Sequence, residues 1–144
     1  MSDKLRYVAT PLVTVDPFLS VWSMSDRLYD DVTRHWTERR NSMSGFVCVD
    51  GKWHRFMGTI KTDKFRCFAD IKAIQQTNCE VYATKTVYEF ENDIFNLKVI
   101  FRTPLLLDDL YLMSRPVSYI SYEIEYKDGQ KHNTKVYFDI SAET

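Results

Sequence analysis

The sequence is poor in the residues that divide a chain into pieces. Four glycines and four prolines in 144 residues leave no stretch with the composition of a flexible linker. No internal repeat is present, and no apolar run approaches the roughly 20 residues of a membrane span. The first six residues, Met-Ser-Asp-Lys-Leu-Arg, lack the apolar centre of a secretory leader. Charge of one sign is also missing. Nineteen Lys and Arg stand against 20 Asp and Glu, a formal net charge of -1, so neither nucleic acid nor an anionic membrane is an expected partner. The three cysteines, Cys48, Cys67 and Cys79, are odd in number and too widely spaced for a disulfide framework. Reduced thiols and a cytoplasmic location are expected, with a secreted or periplasmic protein stripped of its leader as the alternative.

Signatures of catalysis are equally scarce. His35, His54 and His132 lie far apart and away from any Cys-x-x-Cys pair, so no metal is expected. No glycine-rich loop offers itself to a phosphate, and no Gly-x-Ser-x-Gly marks a nucleophile elbow. No cofactor is expected. Carboxylates do occur in pairs: Asp30-Asp31, Asp108-Asp109, and Glu123 with Glu125. The last pair shares one strand face. It is read first as a solvated surface, and second as the acid and base of a small self-contained hydrolase.

What the chain does have is aromatic residues, 15% of the total, in alternating runs. Ile120, Tyr122, Ile124 and Tyr126 alternate with Ser121, Glu123 and Glu125. Val136, Phe138 and Ile140 alternate with Lys135, Tyr137 and Asp139. Between them stands Lys127-Asp128-Gly129-Gln130. Successive side chains of a strand point to opposite faces, so the pattern predicts a hairpin with one wet and one dry face, turned by an Asp-Gly dipeptide. Phe46 to Val49 and Trp53 to Met57 repeat the arrangement around Asp50-Gly51. One long strand is expected over 79–91, then Asn92-Asp93 as a corner, then a strand from Phe95 to Arg102 that Pro104 stops. Earlier, 11–17 reads as extended and 18–24 as a short apolar run. Residues 59–74 carry a weak pattern, helical on Phe65, Phe68 and Ile71 or a connection. Residues 105–114 read as an apolar connection.

Strand-turn-strand units at this spacing predict an all-β fold: an antiparallel β-sandwich, with a short helix or long loop near 25–44. In this loop-rich region Trp22, Arg34, His35 and Trp36 form the candidate binding group, because aromatic faces beside Arg and His suit a sugar or an amide. The competing reading makes both tryptophans core or interface anchors.

Several stretches together carry a resemblance. They are 10–18, Thr-Pro-Leu-Val-Thr-Val-Asp-Pro-Phe; Thr33-Arg34-His35-Trp36-Thr37; Val49-Asp50-Gly51-Lys52; Phe56-Met57-Gly58; and Gln76-Thr77. Further on come Phe101-Arg102-Thr103-Pro104-Leu105, 114–119, Asp128-Gly129 with His132, and Val136-Tyr137-Phe138-Asp139. In this order and spacing the chain resembles the N-terminal region of the bacterial and fungal glutaminase-like family. The resemblance implies a β-sandwich followed by an α/α toroid similar to those of six-hairpin glycosidases, which holds most of the active site. No catalytic residue carries over to this chain. Residues 1–144 are then expected to be one sandwich, the excised N-terminal part of a larger hydrolase and not itself an enzyme. Its partner would be the downstream toroid in cis, with Trp22, Arg34, His35 and Trp36 on the rim of the site. A glycan or other small-molecule ligand, and a homodimer through an exposed apolar face, are further options. A carbohydrate-binding module is the rival function.

Overall fold

A computed structural model describes residues 7–59 and 71–141. Among them are nine strands and one turn of helix. The strands are β1 (Thr10–Thr14), β2 (Ser20–Ser23), β3 (Met43–Val49), β4 (Lys52–Met57), β5 (Gln75–Val81), β6 (Lys85–Glu91), β7 (Phe95–Arg102), β8 (Tyr119–Tyr126) and β9 (Thr134–Ile140), with α1 (Leu110–Met113) between β7 and β8. They build three antiparallel sheets, ordered β1-β2, β4-β3-β9 and β5-β6-β7-β8. The all-β sandwich expected from alternation is what forms.

The core lies between the three- and four-stranded sheets. Val47, Val49, Phe56 and Met57 face Tyr88, Phe90, Phe95, Leu97, Val99 and Phe101, and all of these are buried. Rings lock the layers together: Phe56 lies 6.1 Å from Phe90 and 5.8 Å from Tyr122, centroid to centroid. Such aromatic pairs add to the stabilisation from area burial alone. The small β1-β2 sheet caps one end. Its Leu12, Val13 and Val21 join the core, and the Thr86 hydroxyl donates to the Pro11 carbonyl at 2.6 Å.

The β3-β4 hairpin forms as the sequence predicts. Asp50 and Gly51 both take positive φ, 49° and 84°, the geometry of a two-residue turn that suits strand twist. The 115–141 stretch does not form a hairpin. β8 pairs with β7, whereas β9 pairs with β3 in the other sheet. Asp128-Gly129 therefore begins a crossing between layers. Period-two alternation fixes which face is dry but carries no information on which strand lies alongside. The expected strand over 79–91 breaks into β5 and β6, because Tyr82 N–H donates to Lys85 O at 2.8 Å and closes a turn with no glycine to advertise it. The 105–114 connection contains the helical turn, capped by Asp109, whose carboxylate accepts from Leu112 N–H at 3.0 Å.

Of the two options near 25–44, the loop is the one present. Leu28 is fully buried, whereas Trp36 is 57% exposed. The loop's backbone is satisfied laterally instead. Gln76 accepts from Leu28 N–H at 2.8 Å and donates to Asp26 O at 3.0 Å, and Arg55 donates to Tyr29 O at 3.0 Å. The expectation for Phe65 and Phe68 lies outside the described residues, as does Cys67. Residues 72–74 run beside β4, where Arg55 N–H donates to Lys72 O at 3.0 Å and Ile74 N–H donates to Arg55 O at 2.8 Å. Cys48 is buried and unbridged. No helix among the described residues is long and apolar enough to cross a membrane.

Candidate functional site

The loop brings all four candidate residues into one lobe. Trp22 and Arg34 pair through their backbones, N–H to O at 2.7 and 2.9 Å, and Arg34 pairs onward with Arg40. His35 N–H donates to Arg39 O at 2.8 Å, and Glu38 turns the chain with φ 68°. Thr33 anchors this finger from within. It is 1% exposed, donates to Asn41 O at 2.6 Å and accepts from Met43 N–H at 2.8 Å.

Two rings then grip one carbonyl. His35 Nε2 and Trp36 Nε1 each lie 2.8 Å from Pro17 O. A carbonyl only accepts, so the His35 proton sits on Nε2, and Nδ1 is left to accept from Thr37. Asp16 folds the next turn by accepting from Phe18 and Leu19 N–H at 2.7 and 2.8 Å. The result is a braced display of two aromatics, with Phe18 93% and Trp36 57% exposed. Trp22 is half-buried, its indole N–H spent on Ser20 Oγ at 2.7 Å. Arg34 Nη2 meets Asp31 at 3.0 Å. Burial pushes the Asp31 carboxyl up, but Val32 N–H and the Arg34 guanidinium outweigh it and hold the group below its ordinary value. Phe18 was missed by the sequence reading. Nothing in one sequence ties its neighbour Pro17 to residues 35–36.

His54, His132 and the Glu123–Glu125 pair stand elsewhere. His132 lies in the crossing after β8, where Nδ1 meets Asp50 at 2.5 Å and Nε2 meets Asp128 at 3.0 Å, and its ring lies tilted against Tyr126 at 4.3 Å between centroids. Hydrogen bonds donated to the Asp50 and Asp128 carboxylates raise the His132 pKa. His54 packs edge-on against Phe95, and burial lowers its pKa. Glu123 and Glu125 stand on the solvated outer face of β8, in a shallow cleft of about 390 Å³ with Glu89, Glu91, Asn96 and Lys98. Lys98 and Lys127 pair with Glu89 and Glu91 at 3.4 and 2.5 Å. Among the described residues no three His, Cys, Asp or Glu side chains gather as a metal set.

A second exposed apolar segment lies between β7 and β8. Leu107, Leu110 and Tyr111 are 72%, 68% and 73% exposed, and Leu105, Leu106 and Tyr119 continue the surface. α1 buries none of its four residues. Asp108 and Asp109 interrupt the segment, yet monomeric proteins rarely leave so many large apolar side chains close together in water.

Comparison with known proteins agrees with a part of something larger. Residues 1–66 match one domain family of unknown function, DUF4964, and residues 84–144 match another, DUF5127. No solved structure matches. The chain is 30% identical to glutaminase A of Aspergillus oryzae over 146 residues, which covers 96% of this chain and 20% of that protein. The chain is thus similar, along nearly its whole length, to about one fifth of a fungal glutaminase.

Proposed function

We propose that residues 1–144 form one non-catalytic sandwich module of a glutaminase-like hydrolase, packed on a downstream α/α toroid and lending Trp22, Arg34, His35 and Trp36 to the rim of its active site. The exposed ledge at 105–119 carries this reading. Covering a large apolar side chain is worth roughly 1.5–3 kcal/mol, so half a dozen such residues supply a substantial docking energy. The similarity to one fifth of a glutaminase supports a partner within the same polypeptide. Calorimetry tests it. In the longer protein, sandwich and toroid unfold together, and the Leu107→Lys, Leu110→Lys double variant splits the transition in two. An unsplit transition, or amide hydrolysis by the 144-residue chain alone, overturns the proposal.

A carbohydrate-binding module is the second reading, favoured by the exposed Phe18 and Trp36 and by Trp53, itself 40% exposed. It requires glycan-array binding that is lost in Trp36→Ala.

A further inference from the structure

The sandwich is closed along one side and open along the other. On the closed side, residues 72–74 hydrogen-bond to β4 at the edge of one sheet, and the chain runs straight into β5 at the edge of the other. On the open side, among the described residues, β8 and β9 are both edge strands, each paired with a single neighbour. They meet at one corner, where the Tyr126 and Thr134 hydroxyls touch.

Burial fails on this side, strand by strand. Val136 and Ile140 are 40% and 49% exposed, although their register partners Val47 and Met43, on the same face, are 0% and 2%. The other sheet shows the same step. Phe95, Leu97, Val99 and Phe101 of β7 are buried, whereas their partners Tyr126, Ile124, Tyr122 and Ile120 of β8 are only half-buried.

Edge strands normally carry features that prevent further pairing: a bulge, a proline, or a charge pointing inward. β1 has a proline and a bulge, and β5 has a bulge. β8 and β9 have no bulge, proline or inward charge; their charges, Glu123 and Glu125 on β8 and Lys135 and Asp139 on β9, stand on the outer face. Their registers run without a shift, and their inward residues are uncharged.

We propose that a further strand of the same polypeptide pairs with the free edge of β8 and lays alternate apolar side chains against Val136, Phe138 and Ile140. Strand addition to an open edge gains main-chain hydrogen bonds together with side-chain burial. The occupant is placed in cis because the glutaminase relative is about five times as long as the matched region, and covalent attachment raises a strand's effective concentration. The inference rests on the reading of this chain as a module of a larger protein.

Hydrogen exchange read by mass spectrometry tests it on the longer protein and on the 144-residue chain. Amides along β8 should exchange roughly 100-fold more slowly in the longer protein, at every protein concentration. Equal rates in the two forms overturn the proposal. So does protection in the 144-residue chain that grows with concentration, which would make the occupant a second copy. Protection of the 105–119 ledge without protection of β8 removes the added strand and leaves the module reading intact. Protection of neither removes both.

Discussion

Gly45 has no side chain because Phe56 occupies the space. A Cβ at that position would stand 2.3 Å from the Phe56 ring, and that ring is fully buried between Phe90 and Tyr122. Gly45→Ala must displace a packed aromatic, so a loss of about 1–3 kcal/mol is expected, measured as a lower urea midpoint with unchanged slope. His132 sets a different expectation. Its pKa is raised in the folded state, so its contribution is complete below its unfolded value near 6.5 and is lost as pH rises through the folded value. The carboxyls of Asp50 and Asp128 are lowered, Asp50 chiefly by the His132 hydrogen bond and Asp128 chiefly by Gln130 N–H. Their contribution is present above the unfolded value of 3.8 and is lost as pH falls. The clasp therefore works best between roughly pH 4 and 6.5. Thermal melts should show His132→Gln costing more stability at pH 5.5 than at pH 8.5; an equal cost at both refutes the clasp.

At the scale of elements, the 25–44 loop holds its form through side chains that belong to strands. Gln76 satisfies a backbone donor and a backbone acceptor of the loop at once, and the Leu28 it serves is fully buried. Gln76→Leu leaves both unpaired, at a cost of about 1–3 kcal/mol. Limited proteolysis should then cut within 25–44 faster, with the far-ultraviolet spectrum of the sheets unchanged. A cleavage rate equal to wild type would show that the loop is held by other means. This is also where sequence reading stopped. Alternation located most of the strands and the core-facing side of β8, because each strand reports its own burial, but it also marked Val136 and Ile140 of β9 as dry, and they are 40% and 49% exposed. It was silent on partners that lie far apart in the chain, such as Gln76 with Leu28, or His35 with Pro17. Likewise, the Asp-Gly at 128–129 looks the same as the one at 50–51, although only the latter turns a hairpin. The four candidate site residues were legible as a group because they are close in sequence, whereas Phe18 was not.

For the whole molecule, the apolar ledge separates stability from solubility. Leu107 and Tyr111 are largely in water, so replacing both with lysine in the 144-residue chain should move the unfolding free energy by no more than about 0.5 kcal/mol while raising the concentration at which it stays dispersed. A large drop in stability would mean that the ledge is part of the core. Composition could not reveal this surface, since an exposed leucine and a buried one are the same letter. The pairing of β3 with β9 has a consequence for the order of events during synthesis. Ser42 and Ser141, which join the two by a hydrogen bond at 2.9 Å, are 99 positions apart. The middle strand of that sheet must therefore wait on the ribosome until almost all of these residues have emerged. A ladder that closes so large a loop forms slowly. Until then β3, with its nearly unbroken apolar run, has only the neighbouring β4 to pair with.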